Sequence, residues 1–170
     1  APYPTYHLLD ANFLKNLKPH CVLLNAARGG IVQEEALLDR PESLIYCTDV
    51  FAGEPNVNKD IIARSTLCTP HIAGHSKEAK YAAVAMASTK LHDILGLAQP
   101  IFAKPDSSSF VEEHQALSWQ DKLLSLYDPS FETYRFKQAL DKKSAFLSLR
   151  EQHSRLAVVH FHGVGNSQFG

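Results

Sequence analysis

The sequence has no surplus of basic charge. Its 17 Lys and Arg stand against 18 Asp and Glu, a formal net charge of −1. A nucleic-acid footprint needs a basic excess, so this balance argues against that class of partner. No apolar run approaches the ~20 residues that span a bilayer, which argues against a membrane partner. The opening Ala1-Pro2-Tyr3-Pro4 has neither the basic start nor the apolar stretch of a secretory signal. Cysteine is scarce and odd in number: Cys21, Cys47 and Cys68, each in or beside a strand-like run. This excludes a paired disulfide frame and reads as reduced core residues of a cytoplasmic protein with no metal site. A complete phosphate-cradling fingerprint is also missing. Gly163-Val164-Gly165 has Gln168 where a third glycine belongs, and too little chain follows for a helix.

What is present is 170 residues, 45% of them hydrophobic, enough to bury a core in one domain or two. Strand-like and helix-like segments alternate through about residue 97. Helix is expected over 11–17 behind Asp10, and strand over 21–25. Helix is expected again over 33–38, strand over 44–50, helix over 58–63 and strand over 66–69. A long helix then runs over 76–97, with Ser76 as N-cap and Gly96 near its end. The run Cys21-Val22-Leu23-Leu24 suits a parallel strand covered on both faces. Alternation of this kind predicts an α/β fold with a mostly parallel sheet and right-handed crossovers. Ligands bind such sheets at the carboxyl ends of the strands.

Composition shifts near Leu97. Residues 98–109 read as a connector with one short strand. Helices are expected over 115–126, 130–140 and 142–153, and a late strand over Leu156–Phe161. This is a second, smaller α+β unit. The first half reads as a piece of a larger α/β protein, with the phosphate turn lying outside the chain.

Three motifs follow three expected strands in order: Asn25-Ala26-Ala27-Arg28-Gly29-Gly30, Asp49-Val50-Phe51-Ala52-Gly53-Glu54-Pro55, and Thr69-Pro70-His71-Ile72-Ala73-Gly74-His75. Their positions bring an arginine, a carboxylate and a histidine to one sheet edge. A guanidinium forks onto a carboxylate through two hydrogen bonds. A carboxylate beside an imidazole fixes its tautomer. Taken singly, each has an ordinary reading: a surface arginine, a turn carboxylate, a structural histidine, and for Asp49 a strand-terminal cap. Together they favour anion binding by Arg28 and proton transfer by His71 supported by Glu54. His71 and His75 have helical metal-ligand spacing, but Ala73-Gly74 between them reads as a loop.

The order Arg28, Glu54, His71 in these surroundings resembles the D-2-hydroxyacid dehydrogenases. Two features narrow the resemblance to a member acting on a small phosphorylated 2-hydroxy acid. These are Pro2-Tyr3-Pro4-Thr5-Tyr6-His7-Leu8-Leu9 and the extension bearing Leu126-Tyr127-Asp128-Pro129-Ser130-Phe131-Glu132-Thr133. The resemblance covers roughly residues 1–155. It implies residues 1–97 as the later half of a Rossmann-type NAD-binding domain with its long connecting helix. Residues 98–155 would form a homodimerisation domain and 156–170 a divergent tail.

The resemblance also implies roles. Arg28, Glu54 and His71 would be catalytic, and NAD the cofactor. Ala26, Ala27, Arg28, Asp49 and Gly74 would line the cofactor, and Arg28 and His75 the substrate. Position 75 is commonly Tyr in the family and is His here. Other readings stay open: a dehydrogenase for phosphoglycerate or glyoxylate, an NAD-sensing binding protein on the same fold, or a dimerisation fragment.

Overall fold

A computed structural model describes residues 4–40, 44–103 and 118–153. In chain order its elements are α1 (Ala11–Lys15), β1 (Val22–Asn25), α2 (Glu34–Leu38), β2 (Ile45–Thr48), α3 (Lys59–Arg64), β3 (Leu67–Cys68), α4 (Lys77–Leu95), α5 (Trp119–Leu126), α6 (Pro129–Gln138) and α7 (Lys142–His153). The helix starts follow side-chain chemistry. Asp10, Asn58, Ser76 and Asp128 each cap a first turn by accepting a backbone N–H. Pro129 opens α6, where its missing N–H costs nothing. Gly96 ends α4 in the left-handed conformation.

The three strands form a parallel sheet in the order β1-β2-β3. Leu23 faces the same side as Tyr46, and Asn25 the same side as Thr48. That side is the buried one, closed by Leu14, Leu37, Ile61, Ile62 and Phe136. The opposite face of β1 departs from the expectation of cover on both faces. Val22 and Leu24 are 65% and 68% exposed. A continuous apolar run reports a strand's propensity but does not specify which elements cover it.

The chain divides into two compact units. Among the described residues, one joins 4–40 and 44–73 to 128–153; the other holds 74–103 and 118–127. The helices α6 and α7 belong with the sheet. The hydroxyl of Thr133 explains the attachment. It donates to the carbonyl of Cys68 and accepts from the Cys68 amide, both at 3.0 Å. A side chain thus satisfies the two backbone groups that β3 turns outward, as a fourth strand would. The ammonium of Lys137 adds a hydrogen bond to the carbonyl of Ser65. Lys142 donates to the carbonyls of Phe136, Lys137 and Ala139 at 2.7–3.1 Å, so it closes the end of α6. Phe136 is fully buried, and truncating such a residue to Ala costs ~3–5 kcal/mol.

The second unit carries α4 and α5. Tyr81 of α4 meets Phe102 edge-on, ring centroids 6.1 Å apart, and donates to its carbonyl oxygen. No helix among the described residues is long and apolar enough to cross a membrane. The expected strand over 156–161, the Gly163-Val164-Gly165 segment and residues 104–109 of the connector lie outside the described residues, and no strand is formed over 98–103.

Candidate active site

The loops after β1, β2 and β3 leave the same end of the sheet, because all three strands are parallel. In the first loop Asn25 is the organiser. Its amide accepts from Ala27 N–H at 3.2 Å and donates to the Arg28 carbonyl at 3.0 Å. Ala26, Ala27 and Arg28 are consequently presented to solvent. The Arg28 guanidinium donates to the Ala27 carbonyl at 2.7 Å, and no ion pair with Glu54 or His71 is formed. It is an exposed cation without a carboxylate partner among the described residues.

The second loop bears Asp49 and Glu54. Asp49 is buried and holds the third loop. Its Oδ1 accepts from the Thr69 hydroxyl at 2.7 Å and Ile72 N–H at 2.8 Å, and its Oδ2 accepts from Ala73 N–H at 2.9 Å. Glu54 is fixed from the other side, since its Oε1 accepts the Phe51 amide at 2.8 Å. Glu34 steadies the same loop by accepting the Ala52 amide at 2.8 Å. Burial raises the Glu34 carboxyl above its ordinary value, and the Ala52 bond partly opposes this.

His71 lies between these supports. Its Nδ1 is 2.7 Å from Glu54 Oε2. An ionised carboxylate can only accept, so Nδ1 is the donor of this contact, and the neutral ring in that tautomer offers its lone pair at Nε2. The two side chains are partly exposed, at 28% and 23%. His71 has φ +53°, a left-handed conformation that is uncommon for a residue with a Cβ. Such conformations persist where the surroundings over-determine them, and they concentrate at functional sites.

The structure therefore brings Glu54 and His71 together directly and ties Asp49 to the His71 loop. Arg28 stands on the neighbouring loop without touching either. Gly74 and His75 belong to the second unit. Gly74 has φ +72°, and His75 Nε2 lies 3.4 Å from Lys80 Nζ. Residues not singled out from the sequence also contribute. Asn25 and Glu34 shape the first two loops, and Arg150 of α7 reaches the third, donating from Nε to the His71 carbonyl at 2.9 Å. The polar residue ending an apolar strand was the available signal for Asn25; nothing local marks Glu34 or Arg150. No cluster of three His, Cys, Asp or Glu side chains able to hold a metal is found among the described residues.

Comparison with known proteins follows this geometry. Residues 2–73 match the NAD-binding domain of the D-isomer specific 2-hydroxyacid dehydrogenases. The erythronate-4-phosphate dehydrogenase of Legionella pneumophila subsp. pneumophila (strain Philadelphia 1) is 51% identical over 153 residues. The chain is a homologue of that dehydrogenase. The likeness covers 90% of this chain and 43% of the Legionella protein. The enzyme of the same name from Coxiella burnetii (strain RSA 331) is 40% identical over 149 residues, covering 81% of this chain and 38% of its own. That of Shewanella denitrificans is 34% identical over 168 residues, covering 91% and 44%. The chain spans less than half the length of these curated relatives.

Proposed function

We propose that this chain is the part of an NAD-dependent erythronate-4-phosphate dehydrogenase that carries its acid–base pair. The protein would oxidise 4-phospho-D-erythronate to the 2-oxo acid in the cytoplasm, within pyridoxine 5′-phosphate biosynthesis. The observation that carries the reading is the 2.7 Å contact between His71 and Glu54, on a loop anchored by Asp49. Likeness to the Legionella and Coxiella enzymes supplies the substrate.

His71 Nε2 removes the proton of the C2 hydroxyl, and the resulting imidazolium is stabilised by the Glu54 carboxylate. NAD⁺, lined by Ala26, Ala27 and Asp49, would supply the hydride acceptor for the same carbon, so that the substrate becomes the 2-oxo acid, and the proton on His71 passes to water. Arg28 receives the substrate carboxylate through its fork. The loop suits a cofactor that must approach backbone: Ala26 and Ala27 are small, exposed and fixed by Asn25. A carboxylate offers about four lone-pair sites. Three bonds to the His71 loop leave Asp49 room for one more donor, as a nicotinamide-side contact requires. Gly74 and His75 take cofactor and substrate roles by the family resemblance.

The same resemblance makes residues 98–155 a homodimerisation element. Trp119 and Leu124 of α5 are exposed apolar side chains there, available to a second copy.

The test is NADH formation by the intact protein with 4-phospho-D-erythronate, 3-phosphoglycerate and glycolate. The expected kcat/KM is at least ~10²-fold higher for the first, because unmet polar groups penalise the wrong substrate. Preference for either other acid would reassign the substrate. NAD binding without turnover of any of them would favour a sensing role.

A further inference from the structure

The hairpin of α6 and α7 reaches the His71–Glu54 pair at two points. Arg150, half-buried in the last turn of α7, donates from Nε to the His71 carbonyl at 2.9 Å across 79 residues of sequence. Phe136 and Phe146 meet the ring of Phe51 edge-on, with centroids 5.9 and 6.4 Å apart. Phe51 is the residue whose amide holds Glu54 Oε1. One support thus bears on each member of the pair, and both come from the same hairpin.

The support at His71 matters most. Its backbone is left-handed, a conformation that the Cβ opposes. Within the loop, the His71 amide donates to the Thr69 carbonyl at 3.0 Å, and the next two amides are held by Asp49. The His71 carbonyl is the group that no element of the loop itself holds, and Arg150 takes it with a charged donor. Charge-assisted bonds of this kind are shorter and stronger than neutral ones. Rotation of that peptide would swing the imidazole away from Glu54.

We infer that Arg150 is a positioning residue for His71, so that the C-terminal hairpin holds the acid–base pair in register. The inference rests on the reading of His71 as the base. Arg150→Met keeps most of the apolar stem and removes the donor; Arg150→Lys restores a cationic donor. In the intact protein Arg150→Met should lower kcat ~10–10²-fold, the scale of a misplaced catalytic group. KM and NAD affinity should stay within ~3-fold, since the substrate and cofactor contacts are elsewhere. Arg150→Lys should recover part of the loss.

A second readout is independent of turnover. The nitrogen-bound imidazole proton between His71 and Glu54 should give a downfield NMR signal in the native protein, and Arg150→Met should broaden or remove it. Circular dichroism establishes that each variant is folded, and Arg150→Gln replaces any that is not. Unchanged kcat with an unchanged imidazole signal would overturn the inference. Parallel losses of kcat, substrate affinity and NAD affinity would overturn it too, because they describe general destabilisation. If the parent protein oxidises none of the acids tested, the functional reading fails, and the imidazole signal still decides the positioning role.

Discussion

Gly29 and Phe51 approach so closely that a Cβ on Gly29 would lie 2.0 Å from the Phe51 carbonyl oxygen. The loop bearing Arg28 is thereby packed against the loop bearing Glu54, backbone on backbone. Gly29→Ala must force the two loops apart, because neither neighbour is a flexible side-chain end. Overpacking of this kind costs ~1–3 kcal/mol. The expected outcome is a lower Tm together with weakened binding of the anionic substrate. A variant with parental Tm and parental substrate KM would show that the loops are not in contact in solution.

Asp49 offers a second test. In Asp49→Asn one carboxylate oxygen becomes a donor facing the amide or hydroxyl it formerly accepted. Leaving such a group unmet costs ~1–3 kcal/mol. Stability and kcat should fall together, since the His71 loop loses its anchor. Loss of NAD affinity alone, with Tm unchanged, would make Asp49 a cofactor contact and nothing more.

Cys68 is fully buried, and burial pushes its thiol up to about 11. At pH 8 roughly one molecule in a thousand carries the reactive thiolate. Native alkylation should therefore modify Cys21 and Cys47, which are half-buried, well before Cys68. Because this group binds its proton more tightly when folded, its contribution to stability is intact below the ordinary value of 9.0. It declines as pH rises from there toward 11. Equal labelling rates, read by mass spectrometry, would contradict the placement of β3 beneath α6.

The hairpin should be acid-sensitive. Hydrogen bonds from Ser130 hold Asp128 below its ordinary value of 3.8, and those from Ser144 do the same for Asp141. A depressed carboxyl stabilises the fold above the unfolded value and loses that contribution as pH falls through the folded one. Tm should drop as pH falls below the ordinary value of 3.8 and both caps are protonated. The double variant Asp128→Asn, Asp141→Asn should keep a near-parental Tm at pH 7, since Asn caps as well as Asp. Its acid limb should be flatter. An identical acid limb would remove the caps from the account.

The order of elements was legible because each boundary carries its own chemistry. Asp10, Ser76 and Gly96 stand where expected, and α7 runs over 142–153 as anticipated. That the loops bearing Arg28, Glu54 and His71 leave one end of the sheet followed from parallel strands. The proximity of His71 and Glu54 could be inferred only from their order. The placement of α6 and α7 was not legible. Thr133, Phe136 and Arg150 lie 65 or more residues beyond the strands and loops they touch, and no local pattern encodes such pairings. The exposed face of β1 escaped for a related reason: Val22 and Leu24 look alike whether covered or bare.

The most direct test of the acid–base assignment is the turnover of His71→Gln in the intact protein with NAD and 4-phospho-D-erythronate. Removal of a positioned base should lower kcat by ~10²–10⁴-fold. NAD affinity should remain near the parental value, because Ala26, Ala27 and Asp49 are untouched. A kcat within about threefold of the parent would mean that His71 moves no proton, however well Glu54 holds it.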